Sequence, residues 1–292
     1  MRAHPVKRRS FILAACVLAA VASVPAAAQA AKVLIGYCTG LKGLETAKAV
    51  GFDYVELGVT EIAALSDADF DAALAQAKKV GIPTPNANLF LPASLKLTGP
   101  QPASEAEQMA YVRKAFDRLQ RLGVTILCFG SGGARRVPDG FPKDQAFAQL
   151  VAFGKRIAPE AQARGITVVI EPLRKQETNI INTAAEGLEL VQAVGHPNFQ
   201  LLIDFYHLAS EQEDPAIVVK ARDHLRHLHT ANPHGRVFPL DWNEFDYAPF
   251  FAKLREIGYT GRISVEASTK DLAAEAPRSI ALLRRAFLDP GR

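Results

Sequence analysis

A chain of 292 residues that is 49% hydrophobic and 22% charged can bury a sizeable core, which excludes fibrous and disordered classes and leaves one large α/β domain or two smaller ones. The formal net charge of +4 belongs to the N-terminus: residues 1–30 hold Arg2, Lys7, Arg8 and Arg9 and no acidic residue, so 30 basic and 30 acidic side chains remain beyond it. That neutral remainder removes the electrostatic case for nucleic-acid or anionic-membrane binding.

Lys7-Arg8-Arg9-Ser10-Phe11-Ile12 follows the twin-arginine pattern, with an apolar stretch over 11–24 and the small-residue site Ala28-Gln29-Ala30 behind it. The stretch is shorter than the roughly 20 residues of a bilayer span. Cleavage after Ala30 is expected, giving a signal peptide at 1–30 and a mature domain at 31–292. The mature protein is expected to be periplasmic or secreted by the twin-arginine route, with no stable membrane anchor. Because that route exports folded chains, Cys38 and Cys128 are expected as reduced, buried thiols.

From there, strand-like and helical runs alternate. Strands are predicted at 33–39, 54–59, 84–89, 124–130, 167–173, 199–207, 225–231 and 262–268. Helices are predicted near 43–50, 67–80, 104–122, 143–164, 183–194, 215–222, 245–257 and 272–287. Strict alternation implies parallel strands with crossover helices, and eight such units in about 250 residues fit a single (β/α)8 TIM barrel. An open doubly wound sheet would show a glycine-rich nucleotide loop after its first strand, and Gly36-Tyr37-Cys38-Thr39-Gly40 does not match one. Gly51, Gly81, Gly123, Gly165, Gly195 and Gly258 stand where helix terminators belong. Two long loops, 90–102 and 130–142, follow strand C-termini and suggest a substrate rim.

The last four strands each deliver a metal-capable side chain at their exit. Alternation puts Thr167, Val169 and Glu171 on one face, and likewise Gln200, Leu202 and Asp204; Leu225, His227 and His229; Arg262, Ser264 and Glu266. If these faces point inward, Glu171, Asp204, His229 and Glu266 converge on an O3N site for one divalent cation, Mn2+ first, with Mg2+, Co2+ or Zn2+ as alternatives. The competing reading is a buried layer of ion pairs.

Ile170-Glu171-Pro172-Leu173, Asp204-Phe205-Tyr206-His207, His227-Leu228-His229-Thr230 and Gly261-Arg262-Ile263-Ser264-Val265-Glu266 resemble the sugar phosphate isomerase/epimerase family of xylose isomerase-like barrels, of D-tagatose 3-epimerase type. The resemblance spans nearly the whole mature chain. It implies that Glu171, Asp204, His229 and Glu266 hold the metal, that Glu171 and Glu266 are also the catalytic acid/base pair, and that Glu177, His207 and Arg236 contact the substrate. Around Arg236 the segment is one residue longer than the family pattern. The chemistry is coherent on physical grounds: a cation on a ketone oxygen and its neighbouring hydroxyl acidifies the α C–H, and carboxylates on opposite faces remove and return the proton through an enediolate.

Further residues have two readings each. Glu56 either hydrogen-bonds a sugar hydroxyl at the mouth or makes a strand-end salt bridge. Asn86 and Asn88 line the pocket or cap a turn. Arg135 and Arg136, beside Ser131-Gly132-Gly133, either help cradle an anion or snorkel on a flexible rim. His227 reads as a satisfied core histidine. Trp242 and Phe238 could stack on a sugar or on a partner subunit of a homo-oligomer. Functionally, the expectation is a metal-dependent isomerase or epimerase of a neutral keto-sugar or sugar derivative. The alternatives are a lyase or dehydratase acting on 3-keto-glycosides at the same site, and a non-catalytic sugar-binding barrel. A trinuclear DNA-repair nuclease of similar fold is disfavoured, because all six histidines of the mature chain lie at or after His196.

Overall fold

In the computed structural model of the protein, which describes residues 1–2 and 33–288, eight strands close into a barrel in sequence order. They are β1 Leu34–Cys38, β2 Tyr54–Gly58, β3 Asn86–Asn88, β4 Ile126–Phe129, β5 Thr167–Ile170, β6 Phe199–Asp204, β7 Leu225–Thr230 and β8 Arg262–Val265. Every neighbouring pair is parallel, including β8 with β1. The (β/α)8 architecture expected from alternation is the one observed. The predicted export signal and its cleavage point lie outside the described residues.

The helices are α1 Leu44–Ala49, α2 Val59–Ala64, α3 Asp67–Val80, α4 Glu105–Arg121, α5 Gly132–Arg135, α6 Lys143–Gln162, α7 Ala184–Val194, α8 Phe205–Ser210, α9 Ile217–Lys220, α10 Ala248–Glu256 and α11 Leu272–Leu288. Side chains take over the free amides at several starts: Ser66 accepts from Asp69 N at 3.1 Å, Thr183 from Glu186 N at 3.1 Å, and Ser104 and Glu107 cap one another. All six expected terminator glycines hold positive φ.

The structure departs from the sequence pattern in its short helices, in β6, in β3 and in the phase of β7. The short helices α2, α5 and α8 are missed because four to six residues do not display a helical period. The predicted sixth strand therefore stops at Asp204, which caps α8 instead of continuing to His207. β3 is shorter than 84–89 because Pro83 and Pro85 carry no N–H; their carbonyls still accept from Val55 N and Thr125 N.

Outward side chains such as Ile35, Leu57, Val168, Leu201, Leu228 and Val265 form the apolar shell under the helices. Inside, Cys128, Val169 and Leu202 make a small apolar plug on the β4–β6 side. The rest of the interior is polar. Tyr54 reaches from β2 across Gly36 to bond Ser264 on β8 at 2.8 Å, and a Cβ on Gly36 would collide with the tyrosine ring. β7 carries an irregularity: Leu201 pairs with Leu225 but Leu202 pairs with His227, so Arg226 is an inserted residue. The expected common face of Leu225, His227 and His229 is thus broken. Leu225 joins the outer shell, while both histidines point inward.

Candidate metal and active site

Glu171 follows β5, Asp204 ends β6, His229 lies in β7 and Glu266 follows β8, so successive strands present all four at the C-terminal end of the barrel. One ligand atom from each lies within 4.8 Å of the others. His229 Nδ1 is 2.9 Å from Glu171 Oε1 and 3.4 Å from Glu266 Oε2. Glu171, Asp204 and His229 are buried, at 4%, 2% and 0% exposure. Gly130 makes room for Glu171, since a Cβ there would stand 2.5 Å from Glu171 Oε2.

Among these carboxylates, Asp204 is the one whose ionised form its acidic neighbours disfavour. Burial, reinforced by Glu171, pushes Asp204 up to about 7. Burial also acts upward on Glu266, but His229 and Arg236 outweigh it and hold that group down at about 2. For His229 burial disfavours the cation, yet Glu56 and the neighbouring acids raise its pKa well above the ordinary imidazole range. The arrangement fits a divalent cation on its own terms. Asp204 Oδ1 accepts from Tyr206 N at 2.9 Å, whereas Oδ2 is buried without a hydrogen-bond donor among the described residues. An anionic oxygen left so among further oxygen and imidazole donors is what a hard or borderline cation satisfies.

Glu56 is not at the mouth. It is fully buried beneath His229, accepting from His227 Nε2 at 2.7 Å, His229 Nε2 at 2.9 Å and Ser264 Oγ at 2.6 Å. Of its two readings, the contact with a sugar hydroxyl is therefore corrected and the structure has the charged pairing, with His227 and His229, so that both carboxylate oxygens are occupied inside the barrel. Burial opposes its charge, but the two histidines more than compensate and hold its pKa far below the usual carboxylate range. By accepting from Nε2, Glu56 fixes the His229 ring with Nδ1 toward Glu171 and Glu266. Glu56→Gln, which keeps the size and an acceptor but removes the charge, is expected to weaken divalent-metal affinity by about 10- to 100-fold. A metal titration of parent and variant checks this, and equal affinities would remove the orienting role.

Arg135 is likewise corrected. It is fully buried, and Nη2 donates to the backbone carbonyl of Glu171 at 2.7 Å. Of the two readings for this segment, neither an open cradle nor a flexible rim describes Arg135: the amides of Ala134 and Arg135 turn back to Ser131 O within α5. Arg135 thus holds the backbone behind Glu171 through Nη2, while its Nε and Nη1 are buried without a hydrogen-bond partner among the described residues.

On the open side, Asn88 Nδ2 donates to Glu266 Oε1 at 3.1 Å and Arg236 Nη2 to Glu266 Oε2 at 2.7 Å. Glu177 Oε1 accepts from Arg174 Nε at 2.8 Å and from Arg236 Nη1 at 3.3 Å. Both guanidinium groups lie over the Tyr206 ring, at 5.0 and 4.8 Å from its centroid. His207 is buried, and its Nδ1 accepts from Arg174 N at 3.2 Å, which assigns the proton to Nε2. That Nε2 has no hydrogen-bond partner among the described residues and lies 3.7 Å from Asp204 Oδ2. Burial, with help from Arg236, lowers its pKa to about 3 and keeps the ring neutral. The sequence reading missed Cys128, whose thiol donates to Glu171 Oε2 at 3.2 Å, and Tyr206, which carries the two arginines. A signal for Cys128 was available: it shares the inward phase of β4 with Gly130. Cys38 and Cys128 are both free thiols. A cleft of about 420 Å³ opens beside the cluster, and Asn88, Arg236 and Glu266 line one end of it.

Fold and cluster together define a parallel (β/α)8 barrel with a carboxylate–imidazole centre at its C-terminal mouth. The chain belongs to the xylose isomerase-like TIM barrel family, which it matches over residues 44–286. It is 32% identical over 234 residues to the L-ribulose 3-epimerase of Methylomonas sp. (strain DH-1), with 79% of each chain covered. To the D-psicose 3-epimerase of Agrobacterium fabrum (strain C58) it is 28% identical over 237 residues, covering 78% of each. The crystal structure of a His-tagged D-allulose 3-epimerase from Methylomonas sp. matches it with a TM-score of 0.77 at 27% identity, covering 88% of this chain and 98% of the other.

Proposed function

We propose that this protein is a divalent-metal-dependent sugar epimerase that inverts a carbon next to the carbonyl of a ketose or keto-sugar derivative. The observation that carries the reading is the pair Glu171 and Glu266, which approach the single nitrogen His229 Nδ1 from β5 and β8, beside an undonated Asp204 Oδ2. The similarity to ketose 3-epimerases supports the substrate class. Glu171, Asp204, His229 and Glu266 would hold one divalent cation, with Mn2+ the first candidate, which when bound would supply Lewis-acid stabilisation of negative charge on the substrate.

The chain's own residues do the rest. Glu171 and Glu266 exchange the α-proton, one removing it and the other returning it on the opposite face, with roles reversed in the back reaction. Glu266 enters ionised, because Asn88, Arg236 and His229 all favour its charged form. The neutral His207 offers its unpartnered Nε2–H to a substrate oxygen. Arg236 and Glu177 form an ion-paired edge that orients hydroxyls and keeps Glu266 in place.

Incubation with free ketoses in deuterated water tests the reading. The protein supplied with Mn2+ is expected to place deuterium on the carbon next to the carbonyl and to build up the epimer, and chelation should abolish both. No exchange into any member of a ketose panel would refute the assignment.

A further inference from the structure

The cleft beside the cluster is lined on one side by residues that the proton chemistry does not use, at the end of the barrel where Glu61 stands over Gly40. There Thr39, Gly40, Thr60 and Glu61 come together from the exits of β1 and β2. Among the described residues lining the cleft, Arg236 is the one cation, and its guanidinium is already shared by Glu266 at 2.7 Å and Glu177 at 3.3 Å. Glu61 differs from the acids of the cluster: its carboxylate is exposed in the cleft and has no hydrogen-bond or ion-pair partner among the described residues. It rests over Gly40, where a Cβ would stand 2.6 Å from Glu61 Oε2, so the glycine leaves the carboxylate its place.

We propose that this end is a distal subsite for an uncharged polyhydroxyl chain, and that Glu61 is the specificity-determining residue that accepts hydrogen bonds from it and turns away phosphorylated or carboxylated sugars. Sugar hydroxyls donate to a carboxylate, which accepts only. A phosphate ester brings about −1.5 to −2 charge and only acceptors. Next to Glu61 it meets like charge, and no uncommitted cation of the cleft offsets the repulsion. The proposal rests on the epimerase reading for the position of the reacting carbon, but the charge selection itself does not require turnover.

The test compares D-psicose with its 6-phosphate on the Mn2+-supplied full chain, by calorimetric binding and by α-proton exchange. The parent and the variants Glu61→Gln and Glu61→Lys are measured, with thermal melts to show that all three fold. The parent should bind the free sugar at least tenfold more tightly than the ester. Glu61→Lys should narrow or reverse that ratio by tenfold or more, acting on KM more than on kcat, with Glu61→Gln in between. A ratio unchanged in Glu61→Lys, or a parent indifferent to the phosphate, overturns the proposal. Charge selection that depends on Glu61 without proton exchange would keep the subsite and refute the epimerase reading.

Discussion

Glu266→Gln is expected to lower α-proton exchange by about 100- to 10,000-fold, the range that a positioned acid or base contributes. The substitution is close to isosteric. Its carbonyl can still accept from Asn88 Nδ2, so the strand end and the cleft wall keep their shape. What disappears is the charge that Arg236 neutralises at 2.7 Å and that faces His229 Nδ1 at 3.4 Å. Because Glu266 also belongs to the cluster, metal content must be measured on the same sample and saturated with excess Mn2+. Exchange that stays low with metal restored assigns the loss to the missing proton acceptor. Exchange within threefold of the parent would show that another group does this work.

Asp204→Asn should strip the centre. Even residues that merely orient metal ligands change affinity by about 10- to 100-fold, so loss of an anionic ligand should cost about 100-fold or more. Elemental analysis should fall from about one equivalent per chain to a small fraction of it. The fold should survive, since asparagine also caps helices and can accept from Tyr206 N as Asp204 Oδ1 does. In the parent, metal uptake should weaken as pH falls through about 7, where Asp204 takes up a proton that the cation must displace in addition to the one it displaces from His229 Nδ1, whose raised pKa makes that competition begin at higher pH. Metal content unchanged in Asp204→Asn, or uptake flat across that range, would contradict the ligand assignment.

The sequence displays the barrel because buried parallel strands read as short apolar runs, and their helices announce themselves by period and by terminal glycines. Alternation also reveals which side chains point inward. It does not reveal depth. Glu56 and Glu266 share the inward phase, but the strands of a closed barrel are tilted and staggered. Glu56 consequently lies under His229 while Glu266 stands at its rim, and nothing in the linear text separates them. Arg135 was misplaced for another reason: Ser131-Gly132-Gly133 looks like open loop, whereas Ser131 at φ 41° starts a helical turn that folds the arginine inward. Cys128 was legible as a buried strand residue, yet its role beneath Glu171 depends on the register between β4 and β5, where Cys128 pairs with Val169.

The single inserted residue in β7 has a bearing on how such a barrel can change over time. Below Arg226 the strand is phased by Leu225 against Leu201; above it, His227 and His229 are phased anew against Leu202 and Asp204. Lengthening or trimming the connection between α9 and β7 can therefore be absorbed at the base, while the imidazoles keep their aim. A change of length at the floor of the molecule is then expected to leave the aim of its reactive rim in place.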